Sequence, residues 1–119
     1  MVLMDASSLV ESYGLIVKKV LSSYPHESSL SRQAEEFERQ LICDDAAHHY
    51  LLLDVGWQQG KRFASIIFHL DIKDGIVWVQ QDNTDWQLVK RLILEGIPLK
   101  DMVLAFHSPS MRQYIDELS

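Results

Sequence analysis

The chain has 119 residues, 47% apolar and 24% charged, the balance of one ordinary globular domain rather than a disordered or fibrous polypeptide. Seventeen acidic residues against 11 basic ones give a formal net charge of −6, which argues against autonomous tight binding to duplex DNA. Cys43 is the single cysteine, no apolar run approaches the ~20 residues of a membrane span, and no basic segment leads into an apolar run at the N-terminus, so a reducing cytoplasm is the expected compartment.

In chain order, Ser8 to Tyr24 predicts an amphipathic helix, with Leu9, Tyr13, Ile16, Val17, Val20 and Tyr24 recurring at three- and four-residue steps. Ser8 and Glu11 have capping-box spacing, Gly14 weakens the pattern, and Pro25 ends it. Residues 1–7 and 25–34 are expected as loop within a single domain spanning 1–119. Four strands follow: Glu35 to Cys43, His49 to Trp57, Arg62 to Lys73 and Ile76 to Gln81. Their connections are short, so an antiparallel meander is the natural arrangement. Asp82-Asn83-Thr84 offers N-cap groups for a helix from Asp85 to Glu95, with Gly96 as its C′ residue. Met102 to Phe106 predicts a short buried strand, and the segment from Pro109 a short final helix carrying Met111, Tyr114, Ile115 and Leu118. This order lacks a βαβ alternation and favours an α+β fold over a parallel α/β sheet.

The stretch from His69 to Thr84 carries the most information. Asp74-Gly75 between two apolar runs is a strong hairpin signal, because both turn positions need positive φ. A two-residue loop there sets Lys73 opposite Ile76, Asp71 opposite Trp78, His69 opposite Gln80 and Ile67 opposite Asp82. One face then carries His69, Asp71, Trp78, Gln80 and Asp82, and the other the core residues Phe68, Leu70, Ile72, Val77 and Val79.

Histidine and carboxylates one or two cross-strand steps apart suit a divalent metal or acid–base chemistry. They equally suit hydrogen bonding to neighbouring elements or a second subunit, which is the simpler use. Asp82 and Thr84 also serve as capping groups. His48 and His49, adjacent on a strand, point to opposite faces and do not readily share one ion. Trp57, Trp78 and Trp86 fit a core or subunit interface better than a base-stacking platform, given the acidic balance. His107, Pro109, Arg112 and Tyr114 form a C-terminal cluster in which Arg112 pairs with an anion, a partner carboxylate, or Asp71, Asp82 or Asp101. Cys43 reads as a small buried side chain, and no phosphate loop, Cys-x-x-Cys pair or nucleophile elbow is present. No cofactor, metal or catalytic residue is assigned, and the expectation is a protein without enzymatic activity.

One ordered set of residues resembles the XisI family, the fdxN element excision controlling factor proteins. It runs through His49-Tyr50, Gly56-Trp57, Lys61-Arg62, His69 to Gly75, Trp78-Val79-Gln80, Asp82 and Thr84, then Gly96-Ile97-Pro98, Asp101, Val103-Leu104, Phe106-His107, Pro109, Arg112 and Tyr114. The sequence departs from the family's usual pattern at Ile76 (Lys), Gln81 (His), Asp85 (Glu) and Ala105 (Gly). The resemblance implies an XisI-like fold and an accessory role in programmed DNA excision, through a nuclease-like XisH companion and a site-specific recombinase. It transfers no catalytic residue. The partner surface expected from the residues is His69, Asp71, Trp78, Gln80, Asp82, His107 and Arg112, on a homodimer that engages the companion and meets DNA only indirectly.

Overall fold

A computed structural model describes residues 6–26 and 36–106. Helix α1 (Ala6–Ser22) precedes four strands, β1 (Glu36–Asp44), β2 (His49–Gln58), β3 (Lys61–Lys73) and β4 (Ile76–Asp82). Helix α2 (Leu88–Glu95) and a 3-10 turn (Leu99–Asp101) then lead into β5 (Met102–Leu104). The five strands form one sheet in chain order; β1 to β4 are antiparallel, and β5 runs parallel to β4. The fold is α+β as expected, with one addition: β4, α2 and β5 make a single parallel crossover unit.

The hairpin turns take positive φ, which Asp and Gly tolerate and Gln59 adopts only because Gly60 completes its turn. Asp74 and Gly75 (φ 56° and 75°) close β3 to β4, and Gln59 and Gly60 (φ 52° and 75°) close β2 to β3. At the first hairpin, Asp44 Oδ1 accepts from the backbone N–H groups of Ala46 and Ala47, and His48 takes φ 61°. Gly96 ends α2 as expected: at φ 121° it donates to Ile93 O, while Ile97 N–H reaches Leu92 O, the Schellman pattern.

Two expected caps differ. Helix α1 already includes Ala6, so Ser8 lies within it and is not its N-cap. Helix α2 begins at Leu88 rather than Asp85, after Gln87 in the left-handed region with no side-chain cap. The residues 84–86 form a turn instead, in which Asp82 Oδ1 accepts from the backbone and hydroxyl of Thr84, and Thr84 Oγ1 accepts from Trp86 N–H. The C-terminal helix expected from Pro109 lies outside the described residues.

Both helices cover the same face of the sheet. Tyr13, Val17, Val20, Leu21 and Tyr24 pack with Leu88 and Leu92 of α2 on Tyr50, Leu52, Phe68, Leu70, Ile72, Val77 and Val79. Gly14 is required here: a Cβ would come within 2.6 Å of the Tyr50 hydroxyl, so its absence lets α1 sit against the sheet. Cys43 is half-buried against this core, where burial raises its thiol pKa.

The opposite face has no covering element among the described residues. Register places Ile42, Leu51, Leu53, Ile66, Val55, Ala64 and Trp57 on it, with His49, His69, Asp71 and Trp78 at the end nearer the Asp74-Gly75 turn. Ile42 is 49% exposed and Trp57 43%.

Candidate functional site

The polar end of this open face is built by three neighbouring strands. His49 opens β2 and is the direct cross-strand partner of Asp71 on β3. His69 lies two residues before Asp71, hence on the same face. Trp78 of β4 stands opposite Asp71 from the other side, as expected.

Asp71 is the hub. His49 Nδ1 lies 2.7 Å and His69 Nε2 3.0 Å from its Oδ1, while Gln80 Nε2 donates to its Oδ2 at 3.0 Å. Burial raises the Asp71 pKa, but the hydrogen bonds from His49 and Gln80 and the charge of His69 outweigh it and hold the carboxyl below its ordinary value. The side chain of Asp71 is 17% exposed, against 58% for His49 and 37% for His69, so the carboxylate sits low while the rings reach toward solvent. Beside the hub, Lys73 Nζ lies 5.5 Å from the centre of the Trp78 ring. The Trp78 indole nitrogen is buried with no hydrogen-bond partner among the described residues.

Three expectations need correction. A bulge between His69 and Leu70 makes Gln80 an extra residue, so His69 pairs with Gln81 rather than Gln80, although Gln80 still reaches Asp71 by its side chain. The same bulge sets Asp82 opposite Phe68, not Ile67. Asp82 is therefore out of phase with the polar face, and its carboxylate serves Thr84. The cluster is thus His49, His69, Asp71 and Gln80 beside Trp78, without Asp82. His107 and Arg112 lie outside the described residues. All three carboxylates weighed as partners for Arg112 have contacts of their own, Asp71 within the cluster, Asp82 with Thr84 and Asp101 with the Tyr13 hydroxyl.

His49 joins the site without having been singled out on its own. The Trp57 and Trp86 indoles lie elsewhere: Trp57 under Arg62 at 5.6 Å, and Trp86 at the core edge against Tyr24 and Phe68, capped by Arg91 at 4.1 Å. A second network, also unforeseen, lies on the helix-covered face. Arg39 donates bidentately to Asp54, from Nε to Oδ1 at 2.8 Å and from Nη2 to Oδ2 at 3.0 Å, and from Nη1 to Pro25 O at 2.7 Å.

Chemically, the open-face cluster offers two imidazoles converging on one oriented carboxylate, on a sheet face that no described element covers. The groove lined by Leu9, Val10, Glu11, His48, Asp74, Gly75, Ile76 and Asp101 does not contain it.

The XisI protein family model matches residues 4–117. Two crystal structures from Anabaena variabilis ATCC 29413 are similar. One is a XisI-like protein, 38% identical with a TM-score of 0.77, the match covering 88% of this chain and 94% of that one. The other is the fdxN element excision controlling factor XisI, 30% identical with a TM-score of 0.74, covering 89% and 94% respectively. No curated protein matches the chain.

Proposed function

Since this chain belongs to the XisI family, we propose that it is an excision controlling factor: an accessory protein of programmed site-specific DNA excision that acts through protein contacts and catalyses no step itself. The observation that supports this reading best is the sheet face that no described element covers. Its apolar stripe, from Ile42 through Leu53 and Ile66 to Trp57, borders a compact polar group, the pattern of an interface core with a polar margin. Large aromatic and aliphatic side chains held on a rigid sheet suit recognition of a folded partner.

In this reading the chain forms a homodimer in the cytoplasm and engages an XisH-like, nuclease-type companion, which in turn bears on the recombinase. The net charge of −6 fits a protein that reaches DNA through partners. No helix among the described residues is long and apolar enough to cross a membrane.

Co-expression with the XisH-like protein tests the proposal. A complex that co-purifies and persists at micromolar concentration is expected. Ile42→Asp combined with Leu53→Asp should weaken it by roughly tenfold or more, since central interface positions typically contribute above about 1 kcal/mol each. Two folded proteins that fail to associate would overturn the reading.

A further inference from the structure

We propose that His49, His69 and Asp71 form a binding site for one divalent transition-metal ion of the zinc class, with part of the coordination sphere open to solvent. This goes beyond the accessory role and does not depend on it. Among the described residues these three form the group whose ligand atoms, one from each, all lie within 4.8 Å of one another.

The donor set selects the ion. Two imidazole nitrogens and one carboxylate oxygen suit Zn2+ and its neighbours, whereas Mg2+ and Ca2+ favour all-oxygen sites. Two protein nitrogens and one oxygen also leave a tetrahedral ion one position for water or an outside ligand.

The placement is preorganised by the sheet. Asp71 faces His49 across the β2–β3 ladder and shares its face with His69, so the backbone fixes all three origins. Gln80 holds Asp71 Oδ2 and leaves Oδ1 turned toward both rings, the outer hydrogen bond that a ligating carboxylate ordinarily receives. Zinc bonds of about 2.0–2.2 Å in a tetrahedron set neighbouring ligand atoms about 3.3 Å apart. The His49 and His69 nitrogens now stand 2.7 and 3.0 Å from Oδ1 as hydrogen-bond partners, so the ion enters when both rings turn from Oδ1 toward it and move out by about half an ångström. The exposed His49 ring has room for that movement and marks the entry path.

The test uses the untagged full chain, treated with chelator and titrated with ZnCl2 against a chromophoric competitor, with excess Mg2+ present. One equivalent should bind with a dissociation constant at or below about 1 μM, a range ordinary for three-ligand protein sites. His49→Ala, His69→Ala and Asp71→Ala should each weaken binding at least about tenfold, as loss of groups at metal sites typically does. Cys43→Ala and His26→Ala should leave it unchanged. Far-UV circular dichroism checks the fold of each variant, and His49→Ala, which alters an exposed side chain, decides the matter if the others do not fold. Absence of stoichiometric Zn2+ binding, or binding that persists undiminished in His49→Ala, would overturn the proposal.

Discussion

Asp54 carries a carboxylate at 0% exposure on a sheet face whose other buried side chains are apolar or aromatic. A buried charge of this kind is tolerated only when paired and hydrogen-bonded. Arg39, its cross-strand partner, supplies the bidentate contact and is itself sandwiched near the rings of Tyr24 and Phe37, at 5.0 and 5.9 Å. Removing Arg39 takes the bidentate partner from a buried carboxylate, so Arg39→Ala should destabilise the protein by about 3–5 kcal/mol in urea unfolding. Arg39→Lys should recover only part of this loss, because a point charge does not reproduce the planar fork. A loss below about 1 kcal/mol, the scale of an exposed pair, would show that Asp54 is neutral or satisfied elsewhere. The pair was not legible in the sequence. Alternation placed Arg39 with Phe37, Leu41 and Cys43, but nothing local marks Asp54 as the residue across the ladder.

The strands were legible as elements and less so in their register. Hairpin turns announce themselves through Asp74-Gly75 and Gly60, whose positive φ values follow from residue type, whereas Gln59 takes positive φ against its own preference. Bulges have no such local signature. The one at Ile67 sets Leu52 opposite Phe68 but Leu53 opposite Ile66. Without that extra residue, counting from the Gln59-Gly60 turn would set His49 against Leu70, on the wrong face for the cluster. The bulge at Gln80 likewise turns Asp82 away from it. The site was therefore half readable: Asp71, His69 and Trp78 from alternation, His49 only from the observed ladder. Between β1 and β2, Gly56 marks a close approach that side chains forbid. A Cβ there would stand 2.1 Å from Glu36 O and 2.8 Å from the Phe37 Cα, both backbone atoms with no freedom to rotate away. Gly56→Ala should push β1 off the sheet and lower the melting midpoint by several degrees, consistent with an overpacking loss of about 1–3 kcal/mol. A midpoint equal to that of the parent would mean that β1 shifts without loss.

At the scale of the molecule, helix α1 is tied to the sheet and its crossover through buried tyrosines. The Tyr13 hydroxyl of α1 donates to Asp101, in the turn before β5, and Tyr50 lies under Gly14 beside Asp45. Burial and the nearby carboxylates push both hydroxyls from 10 up to about 12. The raised values fix the sign of the linkage. The neutral phenols contribute fully below pH 10, and their contribution is lost as pH rises from there through about 12. Urea midpoints should thus fall across this alkaline window, and Tyr13→Phe should flatten the fall while lowering stability by a constant amount at neutral pH. An unchanged alkaline slope would show that Tyr13 does not take part.

The order of the strands along the sheet, which is their order along the chain, also bears on how the molecule is made. From β1 to β4 each strand finds its partner in the strand synthesised just before it, so this part of the sheet can zip hairpin by hairpin with short loops to close, while β5 joins β4 only after the crossover through α2. Helix α1 departs further: it is synthesised before every strand, yet its apolar stripe packs on strands and a helix made much later. Its docking then converts a growing ladder into a sealed core, and until that moment the apolar side of the sheet is open to water and to other nascent chains.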